Sequence, residues 1–269
     1  WGGDGTIWGG EFLACNYTSF KRLAMLKPVA LPGGDAAARE PWRNAYAHIT
    51  AQMGWAEFAM NFSDLDIFKF LSLKPRDTLD SMISEQVNSP KSTSCGRLFD
   101  AAAAIAGLAP ERQTYEGQAA MLFEAAIDPS ALDESSDLDY PFSIPLIDGH
   151  GMPYIEPLAV WRAMLGDLVL QTPIGVIAAR FHRGLARAIV AMAKRLMGDQ
   201  PTFSAVALSG GCFQNQTLFK LVHGHLRDAE IDVLTHKQVP ANDGGIALGQ
   251  ATIAAAIILN QNQGSKRCV

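Results

Sequence analysis

The stretch AVALSGGCFQN, residues 205–215, decides the expected fold of this 269-residue chain. Its four apolar residues run directly into a pair of glycines, which is typical of a buried strand whose C-terminal turn lets another group approach the backbone. A similar arrangement returns where the predicted strand 231–235 is followed, after six intervening residues, by NDGG at 242–245. Because ligands of open α/β sheets collect at such strand ends, the two glycine turns predict a binding site.

The residues around these turns predict helices and strands in alternation. We expect helices at 173–197, 216–227 and 245–259, and strands at 203–208 and 231–235. This order is typical of βαβ units, whose strands run parallel and whose loops share one edge of the sheet. Both glycine turns are therefore expected at the same edge.

The first 170 residues predict a short β region followed by helices. Strands at 6–8 and 11–15 are expected to form a hairpin, and Asp35 is expected to cap a helix that begins at Ala36. The acidic, proline-rich stretch 127–157 predicts a surface loop or a small β excursion, and its carboxylates are interpreted as solvated surface. Helices are predicted at 36–53, 67–73, 78–86, 96–107, 117–126 and 158–170.

Composition indicates a soluble globular protein, with 48% hydrophobic and 18% charged residues. A net charge of −5 argues against a broad basic surface for nucleic acid. The longest apolar candidate, 246–259, is interrupted by polar residues and glycine, so no membrane partner is expected. Because the chain opens on Trp1 without an initiator methionine, we expect a fragment of a longer protein. Four scattered cysteines fit a reducing, cytoplasmic compartment: Cys15, Cys95, Cys212 and Cys268.

The first glycine turn has the chemistry of an anion site. Ser209, Gly210 and Gly211 are expected to expose backbone N–H groups ahead of a helix N-terminus, where phosphate is the natural ligand. A glycine pair after a strand is also often only a tight turn, and the residues alone leave both interpretations open. Asn215 is expected either to bind a ribose or phosphate or to cap the helix.

The second turn carries Asp243, which is expected either to bind a cation or to cap the last helix, and the residues favour the cap. No HxxxH pair occurs in the chain, so local spacing does not predict a complete metal site. His182 lies on a predicted amphipathic helix and is interpreted as structural. The chain also lacks the GxSxG, Walker A and GxGxxG motifs, which disfavours serine hydrolases, P-loop ATPases and dinucleotide enzymes.

Seven stretches, in order along the chain, resemble the C-terminal carbamoyl-transfer region of the HypF hydrogenase maturation carbamoyltransferases, which are related to TsaD-type tRNA threonylcarbamoyl transferases. The stretches are DGTIWGGEFL (4–13), LPGGDAAAREPWR (31–43), GRLFDAAAAIAGL (96–108), TYEGQAA (114–120), ARFHRGLA (179–186), ALSGGCFQN (207–215) and VLTHKQVPANDGGIALGQ (233–250).

The resemblance implies an α/β fold of the actin-like, sugar-kinase-like (ASKHA) type, with two lobes, a helical insertion and a first lobe that is incomplete in this chain. On this basis residues 1–34 are the end of the first lobe and 35–172 the helix-rich insertion and interlobe region. Residues 173–260 are then the second lobe with the nucleotide loops, and 261–269 a flexible tail.

The resemblance also implies the site residues. The loop with Ser209, Gly210 and Gly211 would contact a nucleotide, as would the residues that match family ligands: Asp100 at the ribose, Gly117 against the nucleotide, and Asn215. Asp243 matches a metal-binding aspartate whose histidine partners are expected upstream of Trp1. Ala101 departs from the TsaD pattern, which has lysine there.

The implied activity is carbamoyl transfer from carbamoyl adenylate, made from carbamoyl phosphate and ATP, to the C-terminal cysteine of HypE during synthesis of the cyanide ligands of [NiFe]-hydrogenase. ATP or carbamoyl adenylate and a divalent metal are the implied cofactors. Implied partners are HypE and upstream YrdC-like, zinc-finger and acylphosphatase-like domains. No residue is assigned as catalytic, and Cys212 is interpreted as a packing residue. A TsaD-type tRNA enzyme and a non-catalytic nucleotide-binding docking module remain as alternatives.

Overall fold

The computed structural model describes residues 2–145, 151–199 and 203–265. Part of the predicted loop 127–157, the last residues of the predicted tail and Cys268 lie outside the described residues. The strands are β1 (Glu11–Cys15), β2 (Phe20–Leu26), β3 (Val29–Ala30), β4 (Lys91–Ser92), β5 (Tyr154–Ile155), β6 (Val206–Ala207) and β7 (Val233–Leu234). The helices are α1 (Asp35–Arg39), α2 (Pro41–Gln52), α3 (Gly54–Phe62), α4 (Asp66–Ser72), α5 (Arg76–Ser84), α6 (Cys95–Ile105), α7 (Gln118–Ala125), α8 (Leu158–Val169), α9 (Ile174–Asp199), α10 (Gln216–Asp228) and α11 (Ile246–Ser265).

The described strands form three small sheets. One has the order β1-β2-β5, with β5 parallel to β2, while β3 pairs antiparallel with β4 and β6 pairs parallel with β7. The α/β class and the parallel pairing in the last third are thus confirmed. Each strand of the parallel pair is only two residues long, shorter than predicted.

The prediction that strands 6–8 and 11–15 form a hairpin is wrong. β1 pairs with β2, which the sequence analysis did not identify, while Ile7 makes only an isolated bridge to Ser92. The carboxylate of Asp4 accepts hydrogen bonds from the backbone and hydroxyl of Thr6 and so folds its own turn. β2 forms because its alternate residues Ala24 and Leu26 are buried in the core.

The predicted helix 36–53 is two helices, α1 and α2. Pro41 occupies the first position of α2, where its missing N–H costs nothing and its ring ends the preceding helix. Asp35 is not the cap of α1 but its first residue, and Gly34 precedes it without a side-chain cap. Helix α3 begins directly after α2 and was not predicted.

The core is built around α6, which packs against α2, α7 and the first glycine turn. Its run of four alanines is fully buried, because only small side chains let the neighbouring helices approach so closely. The buried side chains of α6 to α9 include an aromatic cluster in which Phe181 meets Phe99 and Phe123 edge to face at 5.4 and 5.5 Å between ring centres.

Helix α9 holds the described part of the loop 127–157 in place. The buried guanidinium of Arg183 donates hydrogen bonds to the backbone carbonyls of Ala131, Glu134 and Ser135. Gly184 lies so close to this loop that an added Cβ would stand 2.2 Å from the carbonyl oxygen of Tyr140. Only glycine fits there, which explains the RG pair in the ARFHRGLA stretch.

Helix α11 carries apolar residues that the described chain does not cover. It extends to Ser265, so residues 261–265 are helical instead of part of a tail. The stretch Asp243–Gln261 is long and apolar enough to cross a membrane by length and composition alone, and it is not buried against the rest of the described chain. The exposed apolar side chains are Ile246, Leu248, Ile253, Ile257, Ile258 and Leu259.

The buried His48 on α2 makes folding stability sensitive to acid. Burial lowers its pKa to about 3, whereas the unfolded chain takes up a proton near pH 6.5. The unfolded state therefore binds more protons below pH 6.5, and the stability that neutral His48 permits is lost as the pH falls from there toward 3. We expect His48→Gln to reduce the slope of unfolding free energy against pH between 6 and 4 by about 1 kcal/mol per unit. Urea titrations at several pH values measure this, with exposed His236→Gln as the control, and parallel curves for wild type and His48→Gln would contradict it.

Candidate functional site

The two glycine turns lie side by side at one edge of the parallel pair β6-β7. The N–H of Gly210 donates to the carbonyl of Ala241 at 2.8 Å, and the hydroxyl of Ser209 lies 3.1 Å from Nε2 of His236. The expected placement of both turns at one sheet edge is confirmed. The expectation that Gly210 presents a free N–H is wrong, because that group links the two turns.

The first turn leads into a 3-10 turn at Gly211–Gln214 and then into α10. Asn215 caps α10, since its Oδ1 accepts a hydrogen bond of 2.8 Å from the N–H of Leu218. Ser209, Gly210 and Gly211 are exposed to solvent. The N–H groups of Thr217 and Leu218 at the start of α10 donate within the protein, so it is the exposed backbone of Ser209 and Gly211, ahead of this helix, that can face an anion.

Asp100 on α6 is a buried carboxylate without a well-formed hydrogen bond. Its side chain is 0% exposed, and Nη1 of Arg97 lies 3.1 Å from Oδ2, yet neither carboxylate oxygen has a hydrogen-bond partner among the described residues. Gln113 lies near: one proton of its Nε2 goes to the carbonyl of Ala38, and its amide lowers the pKa of Asp100. Burial raises the pKa of Asp100 to about 6, against the opposing charge of Arg97. Such a group is suited to accept hydrogen bonds from a ligand.

Gly117 stands at the start of α7 in a segment that passes Asp100. Its φ of +79° is left-handed, and nothing lies within 4 Å of where a Cβ would be. The preceding residue, Glu116, adds a negative charge that raises the pKa of Asp100. Gln113 fixes this segment, because its Oε1 accepts from the N–H of Ala119 at 2.9 Å.

His182 joins these elements to the first turn. Its Nε2 lies 2.8 Å from Nδ2 of Asn215, and its ring packs 5.2 Å from that of Phe99, the neighbour of Asp100. A second link runs from Oε1 of Glu124, on α7, to the N–H of Thr217. Asp100, the Gly117 segment and the Asn215 loop therefore surround one junction of α6, α7, α9 and α10. The helical pattern alone predicted a structural role for His182, and its contact with Asn215 had no sequence signal other than the ARFHRGLA stretch.

Cys212 packs against the core, as expected. Its thiol interacts with that of Cys95, the buried first residue of α6. The hydrogen bond between the thiols and burial raise the pKa of Cys95, and the same bond lowers that of Cys212. This pair connects the turn to α6.

Asp243 lies exposed on the second turn. The cap there is supplied by Asn242, whose Oδ1 accepts from the N–H of Gly244 at 3.1 Å, so the cap interpretation of Asp243 is wrong. The described residues contain no group of three or more His, Cys, Asp or Glu side chains that could hold a metal ion. Asp243 alone does not fit a metal centre.

The fold and site define a helix-rich α/β protein with a glycine-turn site beside a buried carboxylate. The chain belongs to a particular family within this class, since residues 1–250 match the family described as "Carbamoyltransferase, Kae1-like Domain, second subdomain". The resemblance to HypF is thereby confirmed.

Relatives and solved structures agree with this assignment. The chain is 41% identical to the carbamoyltransferase HypF of Rhodobacter capsulatus, over 95% of this chain and 31% of the relative. The chain is similar to a full-length HypF crystal structure in a phosphate- and nucleotide-bound form, with a TM-score of 0.83, 32% identity, and 96% of this chain and 32% of that one covered. The chain is also similar to the crystal structure of T. kodakarensis HypF, with a TM-score of 0.76 and 25% identity, over 96% of this chain and 33% of that one. The chain thus spans about a third of the length of these proteins.

Proposed function

We propose that the chain binds carbamoyl adenylate and takes part in carbamoyl transfer to the C-terminal cysteine of HypE during hydrogenase maturation. The observation that carries this proposal is the buried carboxylate of Asp100, which forms an ion pair with Arg97 but accepts no well-formed hydrogen bond, beside the exposed glycine turn. A carboxylate that lacks hydrogen bonds matches the vicinal hydroxyls of a ribose, and the exposed turn ahead of α10 matches a phosphate. Relatives named as carbamoyltransferases and a nucleotide-bound relative support it.

The proposed transfer needs no covalent nucleophile from this chain. The thiolate of the acceptor attacks the carbamoyl carbon, a C–S bond forms, and the bond from that carbon to the phosphate oxygen breaks, so that AMP leaves with the electron pair. The chain's contribution is to hold the adenylate, with the ribose at Asp100 and the phosphate at the Ser209 to Gly211 turn. Backbone dipoles there stabilise the charge that develops on the leaving phosphate.

The two-lobe ASKHA arrangement and the upstream YrdC-like, zinc-finger and acylphosphatase-like domains belong to this proposal. It is supported by the share of each relative that the chain spans, and by the family description as a second subdomain. Asp243 would add one carboxylate to a divalent metal site whose histidines lie upstream. No step is assigned to that metal, since the described residues do not form its site.

The test is transfer of the carbamoyl group from labelled carbamoyl phosphate, with ATP, to a HypE peptide ending in cysteine, catalysed by the full-length protein. We expect label on the peptide thiol, and Asp100→Asn should abolish it. Label on tRNA instead would favour the TsaD-type alternative. Full transfer by Asp100→Asn would overturn the proposed role and favour a docking module.

The exposed helix α11 gives a separate prediction about the upstream region. A helix with no buried face is marginal in water, so its amides in the isolated chain should exchange quickly. In the full-length protein we expect residues 246–261 to exchange at least about 100-fold more slowly, because the preceding subdomain covers the apolar residues. Hydrogen exchange with mass spectrometry measures this, and α2, buried in both forms, is the internal control. Equal exchange, or protection only by lipid vesicles, would contradict it.

A further inference from the structure

His182 is a buried histidine whose two ring nitrogens are both engaged. Its Nδ1 lies 2.7 Å from the carbonyl oxygen of Ala178, which only accepts hydrogen bonds, so Nδ1 carries the proton. Its Nε2 is then an acceptor, and it lies 2.8 Å from Nδ2 of Asn215, which donates. The backbone of α9 therefore fixes the tautomer of His182.

The same geometry fixes the carboxamide of Asn215. Its Oδ1 accepts from the N–H of Leu218 and one Nδ2 proton goes to His182, so the amide has a single allowed orientation. The amide keeps a second N–H, which donates to no acceptor among the described residues. A flipped amide would place two donors against the N–H of Leu218 and leave Nε2 facing an oxygen.

The surroundings of His182 keep its ring neutral and stationary. It is 0% exposed and contacts the rings of Phe99, Phe123 and Phe181 at 5.2, 5.7 and 6.2 Å. Burial lowers its pKa to about 4, so Nε2 stays an acceptor at neutral pH. A histidine that only fills the core needs no hydrogen bond to a ligand-binding loop. His182, on α9, forms one with Asn215, the residue that ends the glycine turn.

We propose that His182 is a positioning residue for nucleotide binding, which holds the Asn215 carboxamide so that its second N–H is presented to the ligand. This deepens the proposed function of the same site and rests on it. His182 does not touch the ligand itself. The effect is pre-organisation, because Asn215 does not have to lose rotamer freedom when the nucleotide binds.

Two variants of the full chain separate positioning from packing. His182→Phe keeps an aromatic ring among the three phenylalanines but removes the acceptor. His182→Gln supplies an acceptor oxygen at the position of Nε2 and an N–H for Ala178. Binding of the β,γ-imido analogue of ATP, measured by calorimetry, should weaken about tenfold in His182→Phe, the cost of one hydrogen bond, and stay within about threefold of wild type in His182→Gln. Equal affinity in His182→Phe and wild type, or equal losses in both variants, would overturn the proposal.

A ligand-free readout keeps the two proposals distinguishable. Nitrogen NMR of the histidine ring should show the Nδ1–H tautomer in the wild type. Asn215→Asp keeps the helix cap but has no N–H to donate, and a proton should then appear on Nε2. An Nε2–H tautomer in the wild type, or an unchanged ring in Asn215→Asp, would overturn the positioning role. If the wild type bound no ATP analogue, the proposed function would fail, while the ring tautomer would still decide whether His182 orients Asn215.

Discussion

Asp100→Asn is expected to abolish nucleotide binding and, at the same time, to stabilise the fold. A ribose would donate two hydrogen bonds to the carboxylate, whereas asparagine offers one oxygen and presents N–H groups to the other hydroxyl. Hydrogen bonds to a charged group contribute about 1.5 to 3 kcal/mol each, so we expect a loss of affinity of at least about 100-fold. Calorimetric titration with an ATP analogue measures it.

The stability effect of the same substitution follows from the raised pKa. The folded-state pKa of Asp100 is about 6 and the unfolded value is 3.8, so the stability contributed by the protonated form is complete below pH 3.8 and is lost as the pH rises through 6. At pH 7 the ionised carboxylate costs about 3 kcal/mol. This cost already includes the attraction between Arg97 and the carboxylate, so the neutral asparagine removes it, and we expect a net gain of at least about 1 kcal/mol.

Urea unfolding at pH 4.5 and pH 7 separates these contributions. The advantage of Asp100→Asn over wild type should grow as the pH rises from 4.5 to 7. Asp64→Asn is the matched control, because Asp64 is exposed and its side chain forms no ion pair or hydrogen bond among the described residues, and it should change neither affinity nor stability. A variant that loses stability at pH 7 while binding the nucleotide normally would show that Asp100 is a structural group.

The parts of the fold that follow from local periodicity were predictable. The helices α4 to α7 and α8 to α10 lie within a few residues of their predicted positions, because their apolar spacing and caps are local signals. The strand β2 was not predictable from glycine punctuation, since the turn that joins it to β1 (residues 16–19) contains no glycine, and its pairing with β5 depends on residues more than 100 positions away. The interruption between α1 and α2 had a local signal, since Pro41 ends the preceding helix, but the apolar spacing on both sides of it predicted one continuous helix.

The candidate site divides in the same way. A strand followed by a glycine turn and a helix cap is a local pattern, so the Ser209 to Asn215 loop was predictable as a unit. The hydrogen bond from Gly210 to Ala241 and the contact of His182 with Asn215 join segments about 30 residues apart, and no spacing rule reveals them. The buried state of Asp100 could be anticipated only from the family resemblance, because one aspartate among alanines has no local signature.

Gly211→Ala is the second substitution for which we expect a large effect, and it distinguishes a glycine needed by the fold from one needed by a ligand. Nothing lies within 4 Å of a Cβ at this position, and its φ is outside the left-handed region, so the protein itself tolerates alanine there. If the backbone at residue 211 lies against a phosphate, the added methyl group occupies that space. We expect an unchanged Tm and a loss of ATP-analogue affinity of at least about 30-fold, or about 2 kcal/mol.

Two other glycines are matched controls for this substitution. Gly224, within α10, also has nothing within 4 Å, so Gly224→Ala should raise stability by up to about 1 kcal/mol and leave affinity unchanged. Gly210 has a φ of +104°, and Gly210→Ala should lower stability by about 1 to 2 kcal/mol through backbone strain. Normal affinity in Gly211→Ala would show that the phosphate does not bind against this turn. A lowered Tm would instead show that the fold itself requires Gly211. If the Tm is unchanged and the affinity falls, the fold does not require this glycine, and the ligand that binds against it is the reason for its presence.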